Sequence, residues 1–153
     1  MRQSRIFAVL VLGLALVFSA AALYAAAAPE VIKMQAPYPH KKPIVMFSHK
    51  KHSTQYGAKC GDCHHDKDHK PLTTLKDGDP VQKCIVCHKL PGEAPPAALK
   101  GLTGAARTKK EVTYHATAMH DNCRECHKAW NKKNNKKPNE GAPIACNKCH
   151  AGK

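Results

Sequence analysis

The eight cysteines of this 153-residue chain form four pairs of one kind. They read Cys60-Gly61-Asp62-Cys63-His64, Cys84-Ile85-Val86-Cys87-His88, Cys123-Arg124-Glu125-Cys126-His127 and Cys146-Asn147-Lys148-Cys149-His150. No cysteine stands outside a pair, and histidine follows every pair at once. Covalent attachment of haem c needs this arrangement: two thiols add to the vinyl groups at the porphyrin edge, and the next residue turns an imidazole beneath the iron. The spacing therefore predicts four covalent haems, with Cys60, Cys63, Cys84, Cys87, Cys123, Cys126, Cys146 and Cys149 as attachment points. His64, His88, His127 and His150 would be the proximal iron ligands.

Three other chemistries use paired cysteines. Structural disulfides suit an exported chain, but close Cys-x-x-Cys pairs tend to be redox-active instead. Zinc is the stronger rival, because the 20 residues between Cys63 and Cys84 and the 19 between Cys126 and Cys146 lie in the zinc-ribbon range. Neither zinc nor thiol redox chemistry explains four trailing histidines. Haem does.

Seven histidines remain for the far side of the irons: His40, His49, His52, His65, His69, His115 and His120. Four are needed, so the supply suffices. An iron held by two imidazoles has no open position and exchanges electrons, whereas one lacking a sixth ligand could act on a substrate. Methionine would raise the potential, but Met34, Met46 and Met119 lie among apolar neighbours and read as packing residues. His40 and His69 stand beside Lys41 and Lys70 and read as solvated side chains.

Few elements are available to position these groups. His49 and His52 are three apart, so one turn can present both. His65 follows His64, and adjacent side chains diverge enough to reach different irons. Apolar residues recurring every three or four positions from Val112 to Trp130 predict a helix, with His120 and His127 on roughly one face.

Composition points the same way. Arg2 and Arg5 precede an apolar run from Ile6 that ends in alanines at Ala25–Ala28, the pattern of a secretory signal. Residues 1–28 are therefore expected to be a signal peptide, with an uncleaved anchor as the alternative, since such a run can span a bilayer. Export out of the cytoplasm follows. Residues 29–153 would be the working domain, yet Leu, Ile, Val and Phe make up only 15 of its 125 positions. Its 23 basic and 11 acidic side chains leave a net +12. A chain so poor in apolar residues and so charged cannot offset its conformational entropy with an ordinary core. Four apolar macrocycles, one for about 31 residues, would supply that core.

Val45-Met46-Phe47-Ser48-His49-Lys50-Lys51-His52, with Lys59-Cys60-Gly61-Asp62-Cys63-His64-His65, resembles the class III c-type cytochromes, the tetrahaem cytochrome c3 family of sulfate-respiring bacteria. Tyr114-His115 and Ala118-Met119-His120-Asp121 form a second echo. The resemblance implies a small, mostly irregular and α-helical fold, with few helices and a short N-terminal β-hairpin, wrapped around four haems. It also implies crossed ligand pairs: His49 with His64, His65 with His88, His52 with His127, and His120 with His150, leaving His115 unligated. This chain departs from the family in its four short Cys-x-x-Cys-His motifs, its close His120–Cys123 spacing and its long Lys89–Glu111 loop.

Charge bears on partners. From Lys128 to Lys153 seven lysines face Glu140 alone, which is either a solvated loop or a docking patch for an acidic redox partner. An exported haem protein gives no role to nucleic acid. The resemblance implies a low-potential electron-transfer protein, not an enzyme, that takes electrons from periplasmic hydrogenase and passes them to membrane-bound redox complexes in anaerobic sulfate respiration. A carrier for extracellular metal reduction and a multihaem reductase with one open iron are the alternatives.

Overall fold

A computed structural model describes residues 28–137 and 140–151. The expected signal peptide therefore lies outside the described residues, save for Ala28. The chain divides into two units. The described part of the smaller is Ala28 with Lys76–Pro80, a turn in which the Asp79 N–H donates to the Lys76 carbonyl (3.1 Å). The larger, Pro29–Leu75 with Val81–Lys153, holds every cysteine and histidine.

Regular structure in the larger unit is sparse. β1 (Ile32–Lys33) pairs antiparallel with β2 (Met46–Phe47), in the register Ile32↔Phe47 and Lys33↔Met46. Six short helices follow: α1 (His49–Thr54), α2 (Cys60–Cys63), α3 (Gly104–Glu111), α4 (His115–His120), α5 (Cys126–Lys133) and α6 (Cys146–Cys149). Single 3₁₀ turns cover Cys84–Val86 and Pro96–Leu99. The remainder of the described residues is irregular, and the short strand pair and few helices are what the resemblance implies.

The helix expected from Val112 to Trp130 differs in two ways. It starts at His115, because Val112 closes α3: its N–H bonds back to the Thr108 carbonyl (3.1 Å). It also contains a π turn, Asp121–Glu125, between α4 and α5. A π turn adds one residue to the helical count, about 100° of rotation, so His120 and His127 do not share a face as a straight helix would dictate.

Side chains alone make almost no core. Among the described residues the buried apolar ones are Ala36 and Leu99, each 6% exposed. Meanwhile Met46, Tyr56, Val86, Leu90 and Trp130 are exposed. Met46 was expected to pack; it is 61% exposed, because alternation along β2 turns Phe47 inward and Met46 out. Apolar surface left open in this way fits a chain that closes around apolar groups other than its own side chains.

Candidate functional site

Three of the four motifs share one local fold. Lys59, Lys83 and Ala145 enter in extended conformation, and the chain then makes a single turn. The turn closes when the histidine N–H donates to the carbonyl of the first cysteine: His64 to Cys60 (2.8 Å), His88 to Cys84 (2.9 Å) and His150 to Cys146 (2.9 Å). One turn thus ties the first cysteine of each of these motifs to its histidine. At the first site the Asp62 carboxylate also accepts the Lys59 N–H (2.8 Å), tying down the start of α2. The motif at Cys123–His127 is different, because it spans the π turn and the start of α5.

No disulfide joins the eight cysteines, and the surroundings of one in each pair are not those of a redox cysteine. Cys123 is solvent-accessible on one side yet crowded by protein on the other. Desolvation there, reinforced by Cys63, Cys149 and Cys84, pushes its pKa up to about 11. Burial likewise raises Cys63, Cys84 and Cys149. Redox-active pairs have lowered thiol pKa values, the opposite direction. Thiols from all four motifs thus lie close enough to influence Cys123 or one another.

The histidines meet in pairs. His49 faces His64 with ring centres 6.5 Å apart, and His65 faces His88 at 6.0 Å. His52 faces His127 at 6.1 Å, and His120 faces His150 at 6.1 Å. Two metal–imidazole bonds of about 2 Å, plus about 1.1 Å from each nitrogen to its ring centre, require about 6.2 Å between rings that share one metal. All four separations match that length. Among the described residues no three His, Cys, Asp or Glu side chains converge as a zinc cage would need.

Hydrogen bonds orient most of these rings. Nδ1 of His52 meets the Ser48 carbonyl (2.8 Å), that of His65 the Asp66 carbonyl (2.7 Å), and that of His88 the Val112 carbonyl. Nδ1 of His127 meets the Pro143 carbonyl (2.6 Å), and that of His150 the Pro43 carbonyl (2.8 Å). His120 differs: its Nδ1 lies 2.7 Å from the Glu93 carboxylate. An acceptor on Nδ1 sets the proton there and leaves Nε2 free to bind metal. Burial, with His49 and His65 nearby, lowers the pKa of His64 and favours the neutral ring that a metal needs.

The other histidines are placed elsewhere. His115 is held by the Tyr38 hydroxyl (2.8 Å), and burial lowers its pKa. His40 stacks on Tyr38 with its Nε2 at the Ala36 backbone, and His69 stacks on His65 (4.9 Å); both are exposed. Met34 and Met119 are half-buried.

The model of the class III cytochrome c family matches residues 23–150. The chain belongs to that family. No curated protein and no solved structure matches it. As a class III cytochrome it is a multihaem electron-transfer protein with covalently bound haem c. The fit of this group to the chain rests on the single-turn motifs, the ring separations, the Nδ1 acceptors and the uncovered apolar surface. No helix among the described residues is long and apolar enough to cross a membrane.

Sequence reasoning missed three residues. Asn131 is buried at 6% exposure, where its amide donates to the Ala142 carbonyl (2.9 Å) and accepts the Ala142 N–H (2.7 Å). It thereby holds the strand of loop whose next carbonyl, on Pro143, orients His127. Glu93 and Thr117 act on the long loop before α3 (Ala94 N–H to Thr117 Oγ1, 2.9 Å). An Asn inside a lysine-rich stretch and a lone Glu in a Pro/Ala loop carry no periodic signal that could have picked them out.

Proposed function

We propose that this cytochrome is a periplasmic, low-potential electron carrier holding four haems c, each with two histidine ligands. Cys60 and Cys63 with His64 and His49 would hold the first. Cys84 and Cys87 with His88 and His65 would hold the second. Cys123 and Cys126 with His127 and His52 would hold the third, and Cys146 and Cys149 with His150 and His120 the fourth. The observation that carries this is the set of four imidazole pairs, all at 6.0–6.5 Å. When bound, haem iron supplies one-electron exchange between its ferric and ferrous forms, and two imidazoles leave no position for a substrate.

The crossed pairing gives the polypeptide its part in electron transfer. His64 and His65 are neighbours in the chain but face His49 and His88 respectively. His49 and His52 sit on α1 and face His64 and His127. One short segment therefore restrains two sites at once. Cofactors tied in this way stay close, as fast electron hopping requires.

Residues 1–28 serve as the export signal in this reading. Lys132, Lys133, Lys136, Lys137 and Lys148 are exposed near the fourth motif and form the docking patch for an acidic partner, periplasmic hydrogenase, with membrane-bound redox complexes downstream. Long-range steering by such a patch accelerates encounter and weakens with salt. Intact mass and low-temperature EPR of the purified holoprotein test the assignment. Four haem additions and four low-spin ferric centres are expected; a high-spin ferric signal would instead indicate an open iron and a reductase. Electron uptake from hydrogenase that does not slow with rising salt would remove the docking patch.

A further inference from the structure

Among the eight histidines of the four facing pairs, His120 stands apart in what its Nδ1 meets. Five others are directed at backbone carbonyls, on Ser48, Asp66, Val112, Pro143 and Pro43. His120 is directed at a carboxylate, Glu93 Oε1, at 2.7 Å. A hydrogen bond to an ionised acceptor is roughly twice as strong as one to a neutral carbonyl. It also places a negative charge one ring away from the nitrogen that would bind iron.

The backbone on either side of Glu93 is held, while the Glu93 side chain itself is 67% exposed. Before it, the Gly92 carbonyl accepts the Ala116 N–H at 2.9 Å. After it, the Ala94 N–H donates to Thr117 Oγ1 at 2.9 Å. Both partners belong to α4, the helix that ends in His120. Gly92 has φ of +73°, a conformation that glycine adopts without strain and that bends the chain onto the helix. Leu99, buried at 6%, anchors the loop further along. A cavity of ≈ 790 Å³ opens here, with Glu93, His120, Thr117 and Arg124 on its wall. Arg107, which lines the same cavity, is engaged by Glu111 at 2.9 Å.

We infer that Glu93 is a positioning residue for His120, and that its charge makes the haem ligated by His120 harder to reduce than it would be with a neutral acceptor. The inference rests on His120 being a ligand, as proposed above. A carboxylate that draws on the Nδ1 proton strengthens the ring as a donor and stabilises the more positive, ferric state. The long Lys89–Glu111 loop thus sets the electronic character of one site out of four.

The test is a redox titration of the holoprotein resolved haem by haem, comparing wild type with Glu93→Gln. Glutamine keeps the length and an acceptor oxygen but removes the charge. One of the four potentials should rise, by about tenfold in the reduction equilibrium, which is ~59 mV for one electron. The EPR signal of that haem should change and the other three should not. Glu93→Asp, retaining the charge, should recover most of the difference. Thr117→Val, which frees the Ala94 N–H, should move the same haem in the same direction by less. Four unmoved potentials, or four that move alike, overturn the inference while the ligand assignment stands. A His120→Met variant that keeps all four wild-type bis-imidazole signals overturns both.

Discussion

The rings of His52 and His127 lie almost parallel, at 17°, with 6.1 Å between their centres and 75 positions of chain between the residues. The three other facing pairs are steeply inclined, at 64°, 74° and 87°. His52 is set by its bond to Ser48 at the start of α1, and His127 by Pro143, so the two planes are fixed independently.

Ring planes govern how the two iron orbitals that accept ligand π-density split. Parallel rings split them widely, and perpendicular rings leave them nearly equal in energy. The ferric holoprotein should therefore give one low-spin EPR signal of small g-anisotropy and three of large anisotropy. His127→Met should remove the first and leave the other three. Four signals of one type would contradict the ring geometry.

Asn131 joins α5 to the loop that precedes the fourth motif. Asn131→Ala would leave the Ala142 N–H and carbonyl without partners, at a cost of about 1–3 kcal/mol. Gly141→Ala should act through the same contact, because a Cβ there would collide with the Asn131 amide and come within 2.9 Å of Lys136 Cβ. Thermal unfolding followed by haem absorbance should show both variants melting several degrees below wild type. Asn131→Ala should also alter the EPR signal of the His127 haem, since the Pro143 carbonyl would lose its support.

Asp66 closes the loop just after His65. Its carboxylate accepts the Lys70 N–H (2.9 Å) and the Asp68 N–H (2.8 Å), and the bond to Lys70 is the main cause of its lowered pKa. A carboxyl whose pKa is lower in the folded state contributes stability above its unfolded value of about 3.9, lost as pH falls through the folded value. Asp66→Asn should thus weaken wild-type stability at neutral pH and remove up to one proton from the acid-unfolding slope. A slope unchanged by the substitution would show that the loop bonds do not contribute.

His115 gives a second acid-sensitive contribution. Burial lowers its pKa, with His88 and His40 adding to the effect, so protonation is harder in the folded protein than in the unfolded chain. Its contribution is complete above the unfolded value of about 6.5 and fades as pH falls through the lower folded one. Melting temperatures measured across that window should fall less for His115→Asn than for wild type.

The haem-free polypeptide should be largely unfolded. With Ala36 and Leu99 as the buried apolar residues among those described, little remains to oppose chain entropy once the macrocycles are gone. Circular dichroism of chain made without haem attachment should show little helix. A native-like spectrum would mean that side chains suffice.

The four attachment motifs, and the shortage of aliphatic residues that makes an ordinary core impossible, are both legible in the sequence, because covalent chemistry depends on spacing along the chain and core volume depends on composition. The helical character of the stretch from His115 to Lys133 is legible too, since apolar periodicity is a local signal. Its π turn is not, because no local apolar pattern marks where a helix takes in one extra residue. The pairing of His120 with His150 rather than His115 is likewise beyond spacing. Tyr38, 77 positions away, draws His115 aside, while Glu93 turns His120 toward its partner. Residue types determined which chemistry this chain could hold. Long-range bonds, which only the folded chain can form, orient His88, His127 and His150 and bring His120 against a charge.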